Sequence, residues 1–330
     1  MRALSLQVQV KPICFTVGSR LASRLRMDGH HVHALVRNEP PPGHTLDGIQ
    51  YFRGDIIDKP SLERAVHGCE QVYHVAGYAR LWAAKRKTFF DINVTGTENV
   101  LETALNAGVR RLVFTSSCAV FGPSLRTAIN EETPRITAFN NDYDLSKLLA
   151  EGSVREYCGK GLETVTVNPS RVYGPGPGTH ANMITRMLIK SMRGQWVLMP
   201  GIMDVIGNYA FVDDVVDGHI KAMQHGDCGE RYIIGGENLS YRQVIDIIKK
   251  EIRQPRLLPL PAGAVKAWGY IELLKNKLTG AAPKFTPQAV GRYLADAAVD
   301  STKAVDQLGY SITGFRHGIQ QTITYLKHSK

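Results

Sequence analysis

Short apolar runs alternate with helix-patterned stretches through the first half of this chain, and that alternation constrains the fold more than any other feature. Such a rhythm is the signature of βαβ units, in which parallel strands are buried on both faces by crossover helices. Residues 12–17 read as the first strand, 19–27 as a helix and 32–37 as the second strand. Residues 49–52 form a third strand leading to Gly54-Asp55, and Ser61 caps a short helix. Residues 71–75 are strand four, 85–106 a long helix, 112–116 strand five, 143–157 a helix and 164–168 strand six. After Gly174-Pro175-Gly176-Pro177-Gly178 the rhythm changes. The expected architecture is α/β: a Rossmann-type doubly wound parallel sheet in residues 1–175, with residues of about 205–235 returning to it. A smaller C-terminal substrate lobe occupies most of 176–330.

Within that frame, Tyr143 and Lys147 are four residues apart on a predicted helix, so they share a face. An ammonium beside a phenol favours the phenolate, which brings a tyrosine with an ordinary pKa of ~10 towards proton exchange at neutral pH. Upstream, the strand at 112–116 ends in Thr115-Ser116-Ser117. An open parallel sheet keeps its reactive groups at that end. A lone Tyr-x-x-x-Lys is a common accident; the strand-end hydroxyls give the pair its meaning.

At 330 residues, with 43% hydrophobic and 21% charged residues, the chain has the composition of a globular protein able to bury a sizeable core. The formal charge is +10, but the cations are scattered and no basic stripe is interleaved with aromatics, which argues against nucleic acid. The five cysteines (Cys14, Cys69, Cys118, Cys158, Cys228) are far apart without a CxxC or metal-type spacing, a pattern expected of buried thiols in the cytoplasm, with no metal site. No signal peptide is read at the N-terminus, where Gln7, Gln9 and Lys11 interrupt the apolar residues, and no membrane span is expected. Residues 262–278 carry apolar side chains at helical spacing. They suit a lobe helix, with a membrane-surface helix or a pocket cap as the other readings.

Several short motifs occur in a fixed order: Gly54-Asp55-Ile56, Tyr73-His74-Val75-Ala76-Gly77, Asn93-Val94-Thr95-Gly96-Thr97 and Thr115-Ser116-Ser117. Tyr143-x-x-x-Lys147, Asn168-Pro169-Ser170-Arg171-Val172-Tyr173-Gly174 and Phe211-Val212-Asp213-Asp214-Val215 follow. In this order the chain resembles the extended short-chain dehydrogenase/reductase family, in its dihydroflavonol-reductase-like and 3β-hydroxysteroid-dehydrogenase-like branch. The resemblance implies an enzyme in which Tyr143 is the general acid/base, Lys147 lowers its pKa and holds the nicotinamide ribose, and Ser117 bonds the substrate oxygen. It also implies cofactor contacts from Gly18, Asp55, Ile56, Ala76, Gly77, Thr115, Pro169 and Ser170, a small-molecule substrate and a homodimer through the helix bearing Tyr143. Arg37 directly follows strand two, where an arginine accommodates an adenosine 2′-phosphate, so NADP(H) is favoured over NAD(H). Tyr78, Arg80 and Trp82 follow strand four at the expected substrate rim. A sugar epimerase of the same superfamily is the alternative, disfavoured because Asp144 rather than glycine follows Tyr143.

One motif is broken. The family's TGxxGxxG turn links strand one to the first helix, yet here Thr16 matches its start and Gly18 its last glycine, with roughly five residues missing from a link of about 2–6. Three accounts follow. The chain is a reductase with a weakened cofactor site, or a family member that has lost turnover and serves as a binding or regulatory protein. In the third, strand one lies earlier, where Leu4, Leu6, Val8 and Val10 alternate, leaving a glycine-poor loop. The apolar run at 12–17 disfavours the third.

Overall fold

A computed structural model describes residues 2–6, 17–38, 45–80, 82–125, 127–139, 141–176, 182–253, 255–283 and 286–328, without the side chains of 2–6, Pro200 and Ala289. The first half runs β1 (Arg2–Leu6), α1 (Val17–Met27), β2 (His31–Val36), β3 (Ile49–Arg53), α2 (Lys59–Val66) and β4 (Gln71–His74). Then come α3 (Lys87–Phe90), α4 (Gly96–Asn106), β5 (Arg111–Thr115), α5 (Asp142–Cys158) and β6 (Glu163–Pro169). The second half runs β7 (Arg171–Tyr173), α6 (Met183–Met192), β8 (Val197–Pro200), β9 (Ile206–Phe211), α7 (Val212–His225), β10 (Arg231–Ile234) and β11 (Glu237–Ser240). It closes with α8 (Tyr241–Glu251), β12 (Leu257–Leu260), α9 (Ala262–Thr279), α10 (Pro287–Tyr293), α11 (Thr302–Leu308) and α12 (Phe315–His328).

Seven parallel strands form the main sheet in the order β10-β6-β5-β4-β1-β2-β3. The order reverses direction at β1, so a crevice opens beyond the carboxyl ends of β1 and β4, where doubly wound sheets bind ligands. The alternation of strand side chains builds two cores from one strand. Leu112 and Phe114 of β5 pack with Val100 and Leu101 of α4 and Val154 of α5, all within 2% of full burial. Val113, between them, faces Leu21 and Leu25 of α1 and Val215 and Val216 of α7. A third core lies in the C-terminal lobe, where Tyr173, Tyr209, Phe211 and Phe315 stack around the small sheet β11-β9-β7.

Several expectations are corrected. The first strand is Arg2–Leu6, lying centrally between β2 and β4. Of the stretch expected there, residues 12–16 lie outside the described residues and Val17 opens α1. The link from β1 to α1 is therefore residues 7–16, not a shortened turn, and it contains no glycine. The alternation Leu4, Leu6 was the better strand signal. Ser61 is not the cap of α2: Asp58 is, with Pro60 in the first turn, and the Ser61 hydroxyl donates back to the Asp58 carbonyl. The helix expected over 85–106 is continuous but changes pitch, with a π-helical turn at Asp91–Thr95 between α3 and α4. The cysteines are not all thiols either, since Cys158 at the end of α5 is disulfide-bonded to Cys228 ahead of β10.

Candidate active site

Helix α5 starts where it does because Asn141 caps it. The Asn141 side chain accepts the Asp144 N–H at 2.9 Å, and Asp142 and Asp144 place negative charge on the helix's positive end. The face one turn further on meets the carboxyl end of β5. There the buried Lys147 ammonium donates to the Thr115 carbonyl at 2.6 Å and lies 4.2 Å above the Phe114 ring. Tyr143, half-buried, is one turn before it on the same face.

Two buried histidines frame this lysine. His219 of α7 has Nδ1 2.7 Å from the Val215 carbonyl, which makes Nδ1 the protonated nitrogen. Its Nε2 then accepts from the Thr115 hydroxyl at 2.7 Å. Burial pushes the His219 pKa down to about 4, so the ring is neutral and fixes Thr115 from behind. His74, at the end of β4, donates from Nε2 to the Thr97 hydroxyl at 3.0 Å, because that hydroxyl spends its own proton on the Asn93 carbonyl. Burial, with the Lys147 charge second, depresses His74 to about 3. Both imidazoles stay uncharged beside an ammonium that carries the local positive charge.

Ser117 caps a single 3₁₀ turn, its hydroxyl oxygen accepting the Ala119 N–H at 3.2 Å, which leaves its proton for another acceptor. The Ser117 carbonyl is held by the amide of Asn168 at 3.3 Å, itself anchored on Glu151 of α5 at 2.6 Å. Asn93, in the π-helical turn, joins the loop after β4 to α5: it accepts the Tyr78 N–H at 2.7 Å and donates to Ser146 at 2.9 Å. A π-turn of this kind is a frequent mark of functional sites, because it re-aims one side chain. Gly77 keeps this corner open. A Cβ on it would stand 3.2 Å from Asn93 Oδ1 and 3.6 Å from the Lys147 ammonium.

The fit to a nicotinamide nucleotide can be judged from orphaned polar atoms. The hydroxyls of Ser116 and Ser170 are buried without a hydrogen-bond partner at the carboxyl ends of β5 and β6, as is Asn168 Oδ1. Burying such groups unpaired is costly, so they are suited to a ligand amide. Ala76, Gly77 and Pro169, all buried, line the same strand ends. Ile56 is different: its side chain is fully buried against Gly96, which leaves only main-chain groups for a ligand. At the adenosine end, Arg37 is engaged by Asp55 in an ion pair of 2.7 Å, and Asp55 also accepts the Ile57 N–H. The two residues expected to contact separate parts of the cofactor thus touch each other. Gly18 is buried in the first turn of α1.

On the substrate side, Tyr78 is the hub of the predicted rim. Its hydroxyl donates to the Trp82 carbonyl at 3.2 Å, its ring meets Phe89 edge-on, and the exposed Arg80 lies 5.9 Å from its centre. Three arginines, two of them on β7 and α10, complete the surroundings; none was expected as a site residue, although Arg171 lies inside a recognised motif. Arg292 of α10 ion-pairs with the buried Asp144 at 2.9 Å and stands 5.8 Å over the Tyr143 ring. Arg135 approaches the same carboxylate at 3.8 Å. Arg171 is sunk among Tyr209, Tyr241 and Tyr293, with its guanidinium 5.5–6.0 Å from the three rings and 3.3 Å from the Tyr241 hydroxyl. Sequence spacing carries no sign of partners 148 residues apart, whereas Asn93 and Asn168 sat inside recognised motifs.

A parallel sheet reversing at β1, with a tyrosine and lysine on the helix facing its carboxyl edge, defines a nucleotide-dependent dehydrogenase or epimerase class. The chain belongs to the NAD dependent epimerase/dehydratase family, whose model matches residues 16–235. It is an NAD(P)-dependent enzyme of the extended short-chain dehydrogenase/reductase superfamily. That match begins at Thr16, the last residue of the glycine-free link after β1. Sterol demethylase protein B of Methylococcus capsulatus is 28% identical over 94% of this chain and 95% of its own length. A putative dihydroflavonol 4-reductase of Synechocystis is 29% identical over 94% and 92%. Among solved structures, that of gox2253 superposes with a TM-score of 0.78 at 26% identity, covering 99% of this chain and 98% of the other. The NAD complex of Thermus thermophilus UDP-glucose 4-epimerase gives 0.79 at 22% identity over the full length of both chains, a likeness of fold.

Proposed function

We propose that this protein oxidises or reduces a secondary alcohol/ketone pair with NADP(H), through Tyr143, Lys147 and Ser117. The observation that supports this most is the Lys147 ammonium, held on the Thr115 carbonyl one turn from Tyr143. A bound nicotinamide supplies the hydride acceptor or donor. The chain's own residues handle the proton. Tyr143 takes it from the carbinol oxygen, or returns it to the ketone oxygen, and the Lys147 charge stabilises the phenolate in between. Ser117, with its hydroxyl proton free of the Ala119 contact, steadies the charge developing on that oxygen. Ser170 and Asn168 would hold the carboxamide end, and Lys147 the ribose.

For the NADP(H) preference the support is Arg37, whose charge at the end of β2 is partly offset by Asp55. A 2′-phosphate would have to share that guanidinium with the carboxylate. Dihydroflavonol- and sterol-type relatives favour a reductase. One observation keeps a sugar-nucleotide epimerase in play: tyrosines rather than carboxylates surround Arg171, a cation that a diphosphate or carboxylate on a substrate would satisfy. The test is turnover against panels of secondary alcohols and of nucleotide sugars, read at the reduced-nicotinamide absorbance and by product analysis, with Tyr143→Phe as control. Oxidation of an alcohol that the variant abolishes supports the reductase. Net sugar inversion without nucleotide reduction would replace it with the epimerase.

A further inference from the structure

We infer that the outer surface of the C-terminal lobe, made by β8, β12 and α9, docks on an anionic lipid bilayer. The inference is independent of the catalytic reading. The two strands pair in parallel, and the side chains of β8 alternate in burial. Val197 and Met199 point into the lobe core at 4% exposure, while Leu198 and its direct partner Leu258 point outward at 46% and 42%. Trp196 and Ile202, flanking β8, are exposed at 56% and 44%.

The chain passes from β12 through Pro261 directly into α9, which repeats the pattern. Gly269 packs so closely on Pro287 that a Cβ would stand 2.9 Å from its nitrogen, and Glu272 is buried, so this side of the helix faces α10. On the other side Tyr270, Ile271, Leu274 and Leu278 are exposed at 65%, 62%, 58% and 77%. At ~100° per residue these four fall within roughly 100° of arc. Lys266 and Lys277 fall along one margin of that stripe and Lys275 along the other.

Charge identifies the occupant. Residues 193–202 and 253–280 hold Arg193, Arg253, Arg256, Lys266, Lys275 and Lys277, all exposed, and one carboxylate, the buried Glu272. Just beyond these stretches, Asp204 is exposed and paired with Arg242, and Glu251 is paired with Arg316. Apolar groups rimmed by a surplus of cations suit an interface where acyl chains lie beneath anionic headgroups, with exposed tryptophan and tyrosine at the boundary. A second copy of the chain fits poorly, because a two-fold contact would bring together two rims in which six exposed cations outnumber the exposed carboxylate of Asp204. No helix among the described residues is long and apolar enough to cross a membrane, so the contact lies on the surface.

The experiment is co-sedimentation of the full chain with vesicles of phosphatidylcholine alone or mixed with phosphatidylglycerol. It compares the wild type with Ile271→Asp/Leu274→Asp and with Lys275→Glu/Lys277→Glu. All four positions are exposed, so both variants should retain the wild-type melting behaviour. Binding to the phosphatidylglycerol vesicles only, weakened by salt and reduced about tenfold or more in each variant, is the expected result. Failure of the wild type to sediment with either vesicle would overturn the inference. So would variants that bind as well as the wild type, or a wild-type dimer in gel filtration that Ile271→Asp/Leu274→Asp makes monomeric.

Discussion

The two ends of the proposed cofactor path are built to different standards. Around α5, each group that would touch the reacting atoms is backed by another. Lys147 sits on Thr115, Thr115 on His219, Ser117 on Asn168, and Asn168 on Glu151. At the phosphate and adenosine end, the link over 7–16 has no glycine, and Arg37 is already paired with Asp55. The first end has the preorganisation that catalysis needs. The second lacks the small residues that let a backbone approach a pyrophosphate; on the proposed reading, the N-terminus of α1 would be left to hold the phosphate. Chemistry and affinity should therefore separate in this protein.

The largest effect that would test this contrast is at Tyr143. Tyr143→Phe should lower kcat about 10³-fold while leaving the nucleotide Kd within about twofold. A comparable loss of binding would mean that the two ends are not separate. Next, replacing residues 7–16 with a turn carrying the family's glycines should tighten NADPH about tenfold or more with little change in kcat, by calorimetry and steady-state rates. A smaller and more selective change is expected from Arg37→Ala, which should weaken NADPH about tenfold and NADH much less. Equal loss for both nucleotides would assign Arg37 a structural role with Asp55.

A further effect, on a different readout, concerns pH and stability. His219 and His74 are held neutral at about 4 and about 3, below the usual histidine value, so the unfolded chain binds more protons than the folded one in mildly acidic solution. Stability is then complete above about pH 6.5 and falls as pH drops towards 4, reaching lower for His74. Melting temperatures recorded between neutral pH and pH 4 should show that slope. His219→Asn should flatten it in part, since His74 still contributes. A slope unchanged in the variant would place the acid sensitivity elsewhere.

Much of this was legible in the sequence where the signal is local. Tyr143, Lys147, Ser117 and the strands at β4 to β6 follow from periodicity and short motifs, because a buried parallel strand is an unbroken apolar run. Strand one was misplaced because two apolar stretches compete within the first 17 residues and only pairing with β2 and β4 decides between them. The Asp144–Arg292 pair is invisible for a related reason. Asp144 after Tyr143 reads as a departure from the epimerase pattern, whereas its contact is with a residue brought in by the C-terminal lobe. The π-turn at Asn93 likewise depends on packing against Tyr78 and Ser146 rather than on helix propensity.

On the proposed function, a preorganised catalytic shelf is served by a weak but functional nucleotide site. Titration of the wild-type protein with NADPH and with NADH, followed by heat or nucleotide fluorescence, tests it most directly. Saturable binding with NADPH tighter than NADH is the predicted result. No binding of either nucleotide up to millimolar concentration would contradict it, leaving Tyr143 and Lys147 without a cofactor to serve.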